Sequence, residues 1–269
     1  MTFNVKGTTK NLGQKDLLDR FYTNEEVAKQ CISHVDLDEF EVIIEPSAGG
    51  GAFFSNIDNC IGYDVAPCFE GIIKEDWFNV DKGLFKGKKS LVIGNPPFGQ
   101  QNSIAIKFFN ESAAFAEVIA FILPLSFKKD SVKNRLDLNF HLVKEVDLEE
   151  NSFHLFGEEK SVPCVFQIWE RKSTPRKKIR LRTTSEILEF TDRENADLRV
   201  QRVGGNAGKA SFDFNRAVAS NYFIKNKTEK SNEELKDFIN SLIFPSIEFT
   251  VGPKSLSKGE LIAIIEENL

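Results

Sequence analysis

Val118-Ile119-Ala120-Phe121-Ile122-Leu123-Pro124 is an unbroken run of seven apolar residues. A strand with one wet face would alternate apolar and polar positions; a continuous run is what a strand covered on both faces requires. Such strands belong to sheets with helices packed on either side. Reading outward, Ser90-Leu91-Val92-Ile93-Gly94 and Glu41 to Ile44 are two more short apolar strands upstream. Cys60-Ile61-Gly62-Tyr63-Asp64 is another, and Ile72 to Phe78 a weak strand or turn. Leu142 to Val146 and Val162 to Trp169 follow downstream. Helical periodicity runs over 103–116 through Ile106, Phe109 and Ala113, and over 131–139. Thr23 with Glu26 fits a capping box for a helix that carries Val27, Cys31 and Ile32 on one face. The alternation of strands and helices predicts an α/β fold, a doubly wound and mostly parallel sheet over residues 21–170. Residues 1–20 are polar and are expected to form a mobile arm.

The composition changes after residue 170. Residues 171–210 hold 11 Lys/Arg against 5 Asp/Glu, a local charge of +6. Arg171-Lys172-Ser173-Thr174-Pro175-Arg176-Lys177-Lys178 reads as a polar, basic hinge. Beyond it, short strands (198–203, 246–251) mix with helices (233–242, 258–268), and Ser257 with Glu260 gives a second capping-box pattern. A smaller mixed region over 171–269 is expected.

With 40 acidic and 35 basic residues among 269, the chain has a net charge of −5, so any surface for nucleic acid must be local. Cys31, Cys60, Cys68 and Cys164 form no C-x-x-C pair, which argues for reduced thiols, no zinc ribbon and a cytoplasmic setting. No apolar run reaches membrane length. His34, His141 and His154 are scattered, and no His/Cys/acid spacing suggests a metal site. Nothing in the sequence sets the oligomeric state.

The strand 90–94 runs into Asn95-Pro96-Pro97-Phe98. Such an ending places a carboxamide, a carbonyl and a flat ring at one strand tip. Prolines supply no N–H, so the loop is rigid and its carbonyls stay available as acceptors. These groups suit an exocyclic amine on a planar base. Upstream, strand 41–44 runs into Glu45-Pro46-Ser47-Ala48-Gly49-Gly50-Gly51-Ala52-Phe53, where glycines allow a tight turn and close approach to a nucleotide. Together the two segments point to methyl transfer from S-adenosylmethionine to a nitrogen, N6 of adenine foremost.

Other positions have two readings each. Asp64 ends the next strand, where an acid accepts ribose hydroxyls or is a solvated turn residue. Asp76 could accept from the cofactor adenine, with Phe78 packing on the ring, while Trp77 is better read as core. Phe156 is a second aromatic wall or a packed hairpin residue; with 25 Phe in the chain, a Phe alone decides little. Arg202 and Lys209 flank Gly204-Gly205-Asn206-Ala207-Gly208, a loop suited to a phosphate or simply a solvated linker.

The chain resembles the gamma-ordered DNA adenine-N6 methyltransferases, which have a Rossmann-like sheet. Their order is an aromatic-threonine segment, the glycine motif, the Asn-Pro-Pro-aromatic motif, then a recognition region; here these are Phe21-Tyr22-Thr23, Glu45 to Phe53, Asn95 to Phe98, and 171–269. The likeness covers residues 20–170 and is positional beyond. It implies that Thr23, Glu45, Ser47, Ala48, Gly49, Gly51, Asp64 and Asp76 surround the cofactor. Asn95, Pro96, Pro97 and Phe98 would act on the target base, and Phe156 would pack on it once flipped from the duplex. Asn-Pro-Pro-Phe also occurs in enzymes that methylate RNA adenines or guanines, and Asn-Pro-Pro-Tyr in enzymes that methylate protein glutamine. DNA is the expected partner, with RNA, protein glutamine and an inactive nucleic-acid-binding module as alternatives.

Overall fold

The computed structural model describes residues 22–149, 152–155, 158–160, 162–250 and 252–269. The expected arm over residues 1–20, Phe21 and Phe156 lie outside the described residues. The first part contains β1 (Tyr22–Thr23), α1 (Glu25–Ile32), β2 (Val42–Glu45), β3 (Ile61–Asp64), β4 (Ile73–Lys74) and β5 (Ser90–Gly94). It continues with α2 (Ser103–Ser112), β6 (Val118–Pro124), α3 (Asp130–Lys133), β7 (Phe140–Asp147), β8 (Phe153–Leu155), β9 (Glu158–Lys160) and β10 (Cys164–Arg171). The second part contains β11 (Leu188–Phe190), β12 (Leu198–Gln201), β13 (Ala210–Ser211), β14 (Asn221–Asn226), α4 (Asn232–Ser241) and α5 (Lys258–Asn268).

Seven strands form the central sheet in the order β4-β3-β2-β5-β6-β10-β7. Neighbours from β4 to β6 are parallel, and β10 lies antiparallel between β6 and β7. The expected α/β, mostly parallel sheet is present. Period-two geometry explains the unbroken apolar run. Ile119, Phe121 and Leu123 of β6 enter one buried cluster with Phe109 of α2, whereas Ala120 and Ile122 enter another with Ala28 and Cys31 of α1. Both faces are covered, so neither register tolerates a polar residue. A second, antiparallel sheet, β11-β14-β12-β13, packs its Leu198, Val200 and Ile224 against Leu235 of α4 and Leu261 of α5.

Several local expectations are corrected. Asn24, not Thr23, caps α1: its side chain accepts from the Glu26 amide at 3.0 Å. Thr23 is instead strand, paired with Phe153. The helix expected over 131–139 stops after Lys133, because turns close on Val132 and Lys133 and the Asp137 side chain accepts from the Asn139 amide at 2.8 Å. The helix expected over 103–116 ends at Ser112. The strand expected over 72–78 shrinks to Ile73–Lys74. The strand expected over 246–251 is instead a 3-10 turn, Pro245–Glu248, with Pro at its start and the Glu260 carboxylate accepting from the Ser246 amide at 3.1 Å. Glu260 is thereby diverted from a full capping box, although Ser257 still accepts from the Glu260 amide at 3.2 Å. The complete box is Ser231 with Glu234.

Candidate active site

Parallel strands present their carboxyl ends to one edge of the sheet, and a crevice opens where the chain leaves two neighbouring strands in opposite directions. Here those strands are β2 and β5, since β2 leads to β3 on one side and β5 to β6 on the other. Glu45 closes β2, Asp64 closes β3 and Asn95 follows β5, so their side chains meet at that edge.

A cavity of about 450 Å³ occupies this place. Thr23, Glu45, Ser47, Ala48, Gly49, Asp64, Asp76, Asn95, Pro96, Pro97 and Phe98, all singled out from the sequence, line it. Gly51 does not: it holds φ +84 beneath the Phe69 ring, where a Cβ would come within 2.7 Å of Cγ. Arg202 and Lys209 are also outside the lining. Lys209 Nζ donates to Asn240 O at 3.0 Å and the Arg202 guanidinium lies over the Tyr222 ring, so either would have to leave its present contact to meet a phosphate.

The glycine loop is held by the protein itself. The Ala48 amide donates to Tyr63 O at 2.8 Å, Gly49 to Asp64 Oδ2 at 2.8 Å, Gly51 to Ala48 O at 2.7 Å and Phe54 to Glu45 Oε2 at 2.8 Å. These four amides are engaged within the protein, two of them by carboxyl groups that an incoming pyrophosphate would have to displace. A 3-10 turn, Phe54–Asn56, follows it in place of an α-helix. Asp64 accepts the Gly49 amide on one oxygen and the Ala66 amide, at 2.8 Å, on the other, which fixes its carboxylate at the cavity wall.

Glu45 is fully enclosed. Burial pushes its carboxyl well above the ordinary carboxylate range; the Phe54 amide opposes the shift and the nearby Asp64 charge adds to it. Gly94 makes room for it: φ is +145, and a Cβ there would stand 2.9 Å from Glu45 Cγ.

Two hydrogen bonds join segments distant in sequence. Ser47 Oγ donates to Asn95 O at 3.1 Å, and Asn95 Nδ2 donates to Thr23 Oγ1 at 3.1 Å. Thr23 reaches Asn95 because β1 pairs with β8, and the Asn24 amide donates to Ser152 O at 3.0 Å. The resemblance implies Thr23 beside the cofactor; it lines the cavity, and its hydroxyl accepts from the Asn95 amide.

Sequence reasoning missed Tyr22, Glu75, Ile104 and Phe108 as wall residues. Ile104 and Phe108 are four apart on α2 and share a stripe. That stripe lies beside the one read from Ile106 and Phe109. Phe78 lines the cavity with Lys107 Nζ 3.7 Å from its ring centroid and Phe108 edge-on at 4.8 Å. Trp77, read as core, is 1% exposed and packs against Tyr63 and Phe115, although it also touches the cavity. Among the described residues no cluster of His, Cys, Asp and Glu could hold a metal ion, and no helix is long and apolar enough to cross a membrane.

No family model matches the chain. The protein ENHANCED DOWNY MILDEW 2 of Arabidopsis thaliana is 27% identical over 56% of this chain. The match covers 14% of that protein, so the chain spans a small fraction of its relative's length. Among solved structures, a type I restriction enzyme modification subunit assigned in Vibrio vulnificus gives a TM-score of 0.44 at 16% identity, covering 60% of this chain and 46% of that one. An RNA methyltransferase assigned in Pyrococcus horikoshii gives 0.41 at 17% identity, covering 60% and 90%. A 23S rRNA methyltransferase gives 0.38 at 13% identity, covering 57% and 71%. All three scores lie below 0.5, so what the cavity can do is decided by its own residues.

Those residues form an electrostatic pattern. Glu45, Asp64, Glu75 and Asp76 line the cavity, and among the described residues no Lys or Arg does. A site of this kind repels phosphates and favours a cationic ligand with hydroxyls and amines to donate.

Proposed function

We propose that the chain transfers a methyl group from S-adenosylmethionine to the N6 amine of adenine in DNA. The observation that carries this reading is the cavity wall of Asp64, Glu75 and Asp76, with the buried Glu45 carboxyl beside them and no cation among the described lining residues, adjoining the Asn95 amide. Pyrophosphate-bearing cofactors fit it poorly, because they would meet the carboxylates of Asp64, Glu75 and Asp76. A sulfonium nucleoside fits: its positive charges face acids, its ribose hydroxyls can donate to Asp64, and its adenine can donate to Asp76 beside the Phe78 ring. Ser47, Ala48 and Gly49 supply the close backbone approach, Gly51 supports that turn from outside, and Glu45 lies at its base.

The cofactor supplies an electrophilic methyl group. The rest falls to the protein. The lone pair of adenine N6 is delocalised into the ring and is a poor nucleophile. Asn95 Nδ2 is committed to Thr23 Oγ1, so the amide is oriented with its oxygen as the acceptor for the target. That oxygen and the Pro96 carbonyl accept the two N6–H groups, which draws the amine toward tetrahedral geometry. Phe98 stacks on the extruded base and offsets part of an unstacking cost of a few kcal/mol. Positioning and fixed dipoles supply the rate, and no strong base acts before transfer. Phosphate contacts belong to the basic segment after residue 170, with Arg202 and Lys209 as candidates, while Phe156 is the candidate second ring for the target base.

The test is transfer of labelled methyl to duplex DNA, single-stranded DNA and RNA in parallel, with nucleoside analysis of the products. N6-methyladenine from DNA is expected. Asn95→Ala should lower transfer at least about a hundredfold while cofactor affinity stays near normal. Label in RNA alone would reassign the substrate. Binding of the cofactor without transfer to any nucleic acid would reject the reading.

A further inference from the structure

A groove near the far end of α2 from the Asn-Pro-Pro-Phe tip is lined by Asn110 of α2, by residues 134–138 after α3, and by Lys178. Arg135 in its wall donates from Nη1 to Gln101 O at 3.1 Å. Gln101 stands three residues past Phe98, so Arg135 ties the groove wall to the loop that follows the Asn-Pro-Pro-Phe tip. That loop has an uncommon shape: Gln101 and Asn102 take φ +52 and +63, the left-handed region that side chains other than glycine rarely adopt. Arg135 holds its Gln101 carbonyl, and Asn102 Nδ2 donates to Ser126 Oγ at 2.8 Å.

The segment 175–185, which begins within the polar, basic hinge read from sequence over 171–178, has no helix or strand, yet it is clamped to the α/β body. Asn134 brackets Ile179, donating to its carbonyl at 2.8 Å and accepting from its amide at 2.9 Å. Arg176 donates to the carbonyls of Phe140 at 2.9 Å, Leu136 at 3.1 Å and Lys133. A flexible linker needs none of these ties. They hold a segment with exposed Lys177, Lys178 and Arg180 against the α/β body, and Lys178 lines the groove together with exposed Arg135. None of these four cations has an ion-pair partner among the described residues, whereas Lys128, Lys172 and Arg182 nearby do. Asp137 is the carboxylate in the groove lining, and its Oδ1 accepts from the Asn139 amide at 2.8 Å.

We infer that this groove and its strap seat the phosphodiester backbone of the DNA strand whose base enters the cavity; the inference rests on the nucleic-acid reading above. In a protein of net charge −5, cations held in place without acid partners suit regularly spaced phosphates. Bound there, the backbone would run past the loop 99–102 to the strand tip that accepts the base.

The test is the salt dependence of duplex-DNA binding by the full chain carrying Lys177→Gln, Lys178→Gln and Arg180→Gln, with Asn134 and Arg176 left as anchors. The log–log slope should fall by up to about 2.7, roughly 0.9 for each lost contact, while cofactor affinity and thermal unfolding stay unchanged. The single Lys178→Glu variant should shift the slope in the same direction. Superimposable salt curves in a protein that still methylates DNA would overturn the inference alone. A slope change seen with RNA and absent with DNA would overturn its DNA assignment. Wild type that neither binds nor methylates DNA would overturn the functional reading together with it.

Discussion

Asn95 and Thr23, 72 residues apart, are joined by a 3.1 Å hydrogen bond from the Asn95 amide nitrogen to the Thr23 hydroxyl. The bond fixes which end of the Asn95 amide donates to Thr23. On the proposed reading Thr23 is a positioning residue for the target amine. Thr23→Val keeps the shape and removes the acceptor, at a net cost of about 1 kcal/mol, close to fivefold in rate. Cofactor affinity should hold, and Thr23→Ser should restore the rate. Single-turnover kinetics beside calorimetry check this; a fall in affinity at constant rate would return Thr23 to the cofactor wall.

Asp64 has two duties that substitutions can separate. Its oxygens accept the Gly49 and Ala66 amides, and its charge faces the cavity. Asp64→Asn retains an acceptor and removes the charge. Its cofactor affinity should fall by about 1.5–3 kcal/mol, the scale for hydrogen bonds to a charged group. Asp64→Ala should also lower the melting temperature, because both loop ties go. Unchanged calorimetric affinity in Asp64→Asn would move the ribose contact to Glu75 or Asp76.

Glu45 makes stability depend on pH in a defined direction. Burial holds its carboxyl protonated to higher pH than in the unfolded chain. Below the ordinary carboxylate range both states carry the proton and the group contributes no pH dependence. As pH rises, the unfolded chain releases the proton first, so stability falls until the folded group also ionises. Glu45→Gln keeps an acceptor for the Phe54 amide and cannot ionise. The cofactor-free variant should gain stability over wild type as pH rises, with the gap closing toward acid. Melting curves across pH check it, and parallel profiles would contradict it.

The strand tips were legible because their signals are local. Apolar runs ending in Glu45, Asp64 and Asn95 need only their neighbours to be read as strands, and parallel topology then brings their ends together. What the sequence concealed depends on distant partners. Nothing near Thr23 reveals that β1 pairs with β8 and delivers its hydroxyl to Asn95. The helix over 131–139 had the right periodicity but lost to the Asp137 side chain, and the strand over 246–251 lost to Pro245 and a carboxylate from Glu260. The basic run over 171–178 reads as a hinge because its anchors, Asn134 and the carbonyls that receive Arg176, lie some forty residues earlier.

Phe98 joins packing to recognition, and three substitutions distinguish the two. It lines the cavity, yet it also packs against the buried cluster that contains Ile93 and Phe166. Phe98→Ala removes both contributions and should lose rate and melting temperature together. Phe98→Leu replaces most of the apolar volume without a ring. If the ring stacks on the target base, this variant should recover stability but leave transfer impaired, since base stacking on an aromatic side chain is worth about 1–3 kcal/mol. Phe98→Tyr keeps the face and adds a hydroxyl at the edge, so it should retain most activity. The readouts are melting temperature and the methyl-transfer rate with cofactor saturating. A Leu variant as active as wild type would make Phe98 a packing residue and leave the face of the target base to another ring.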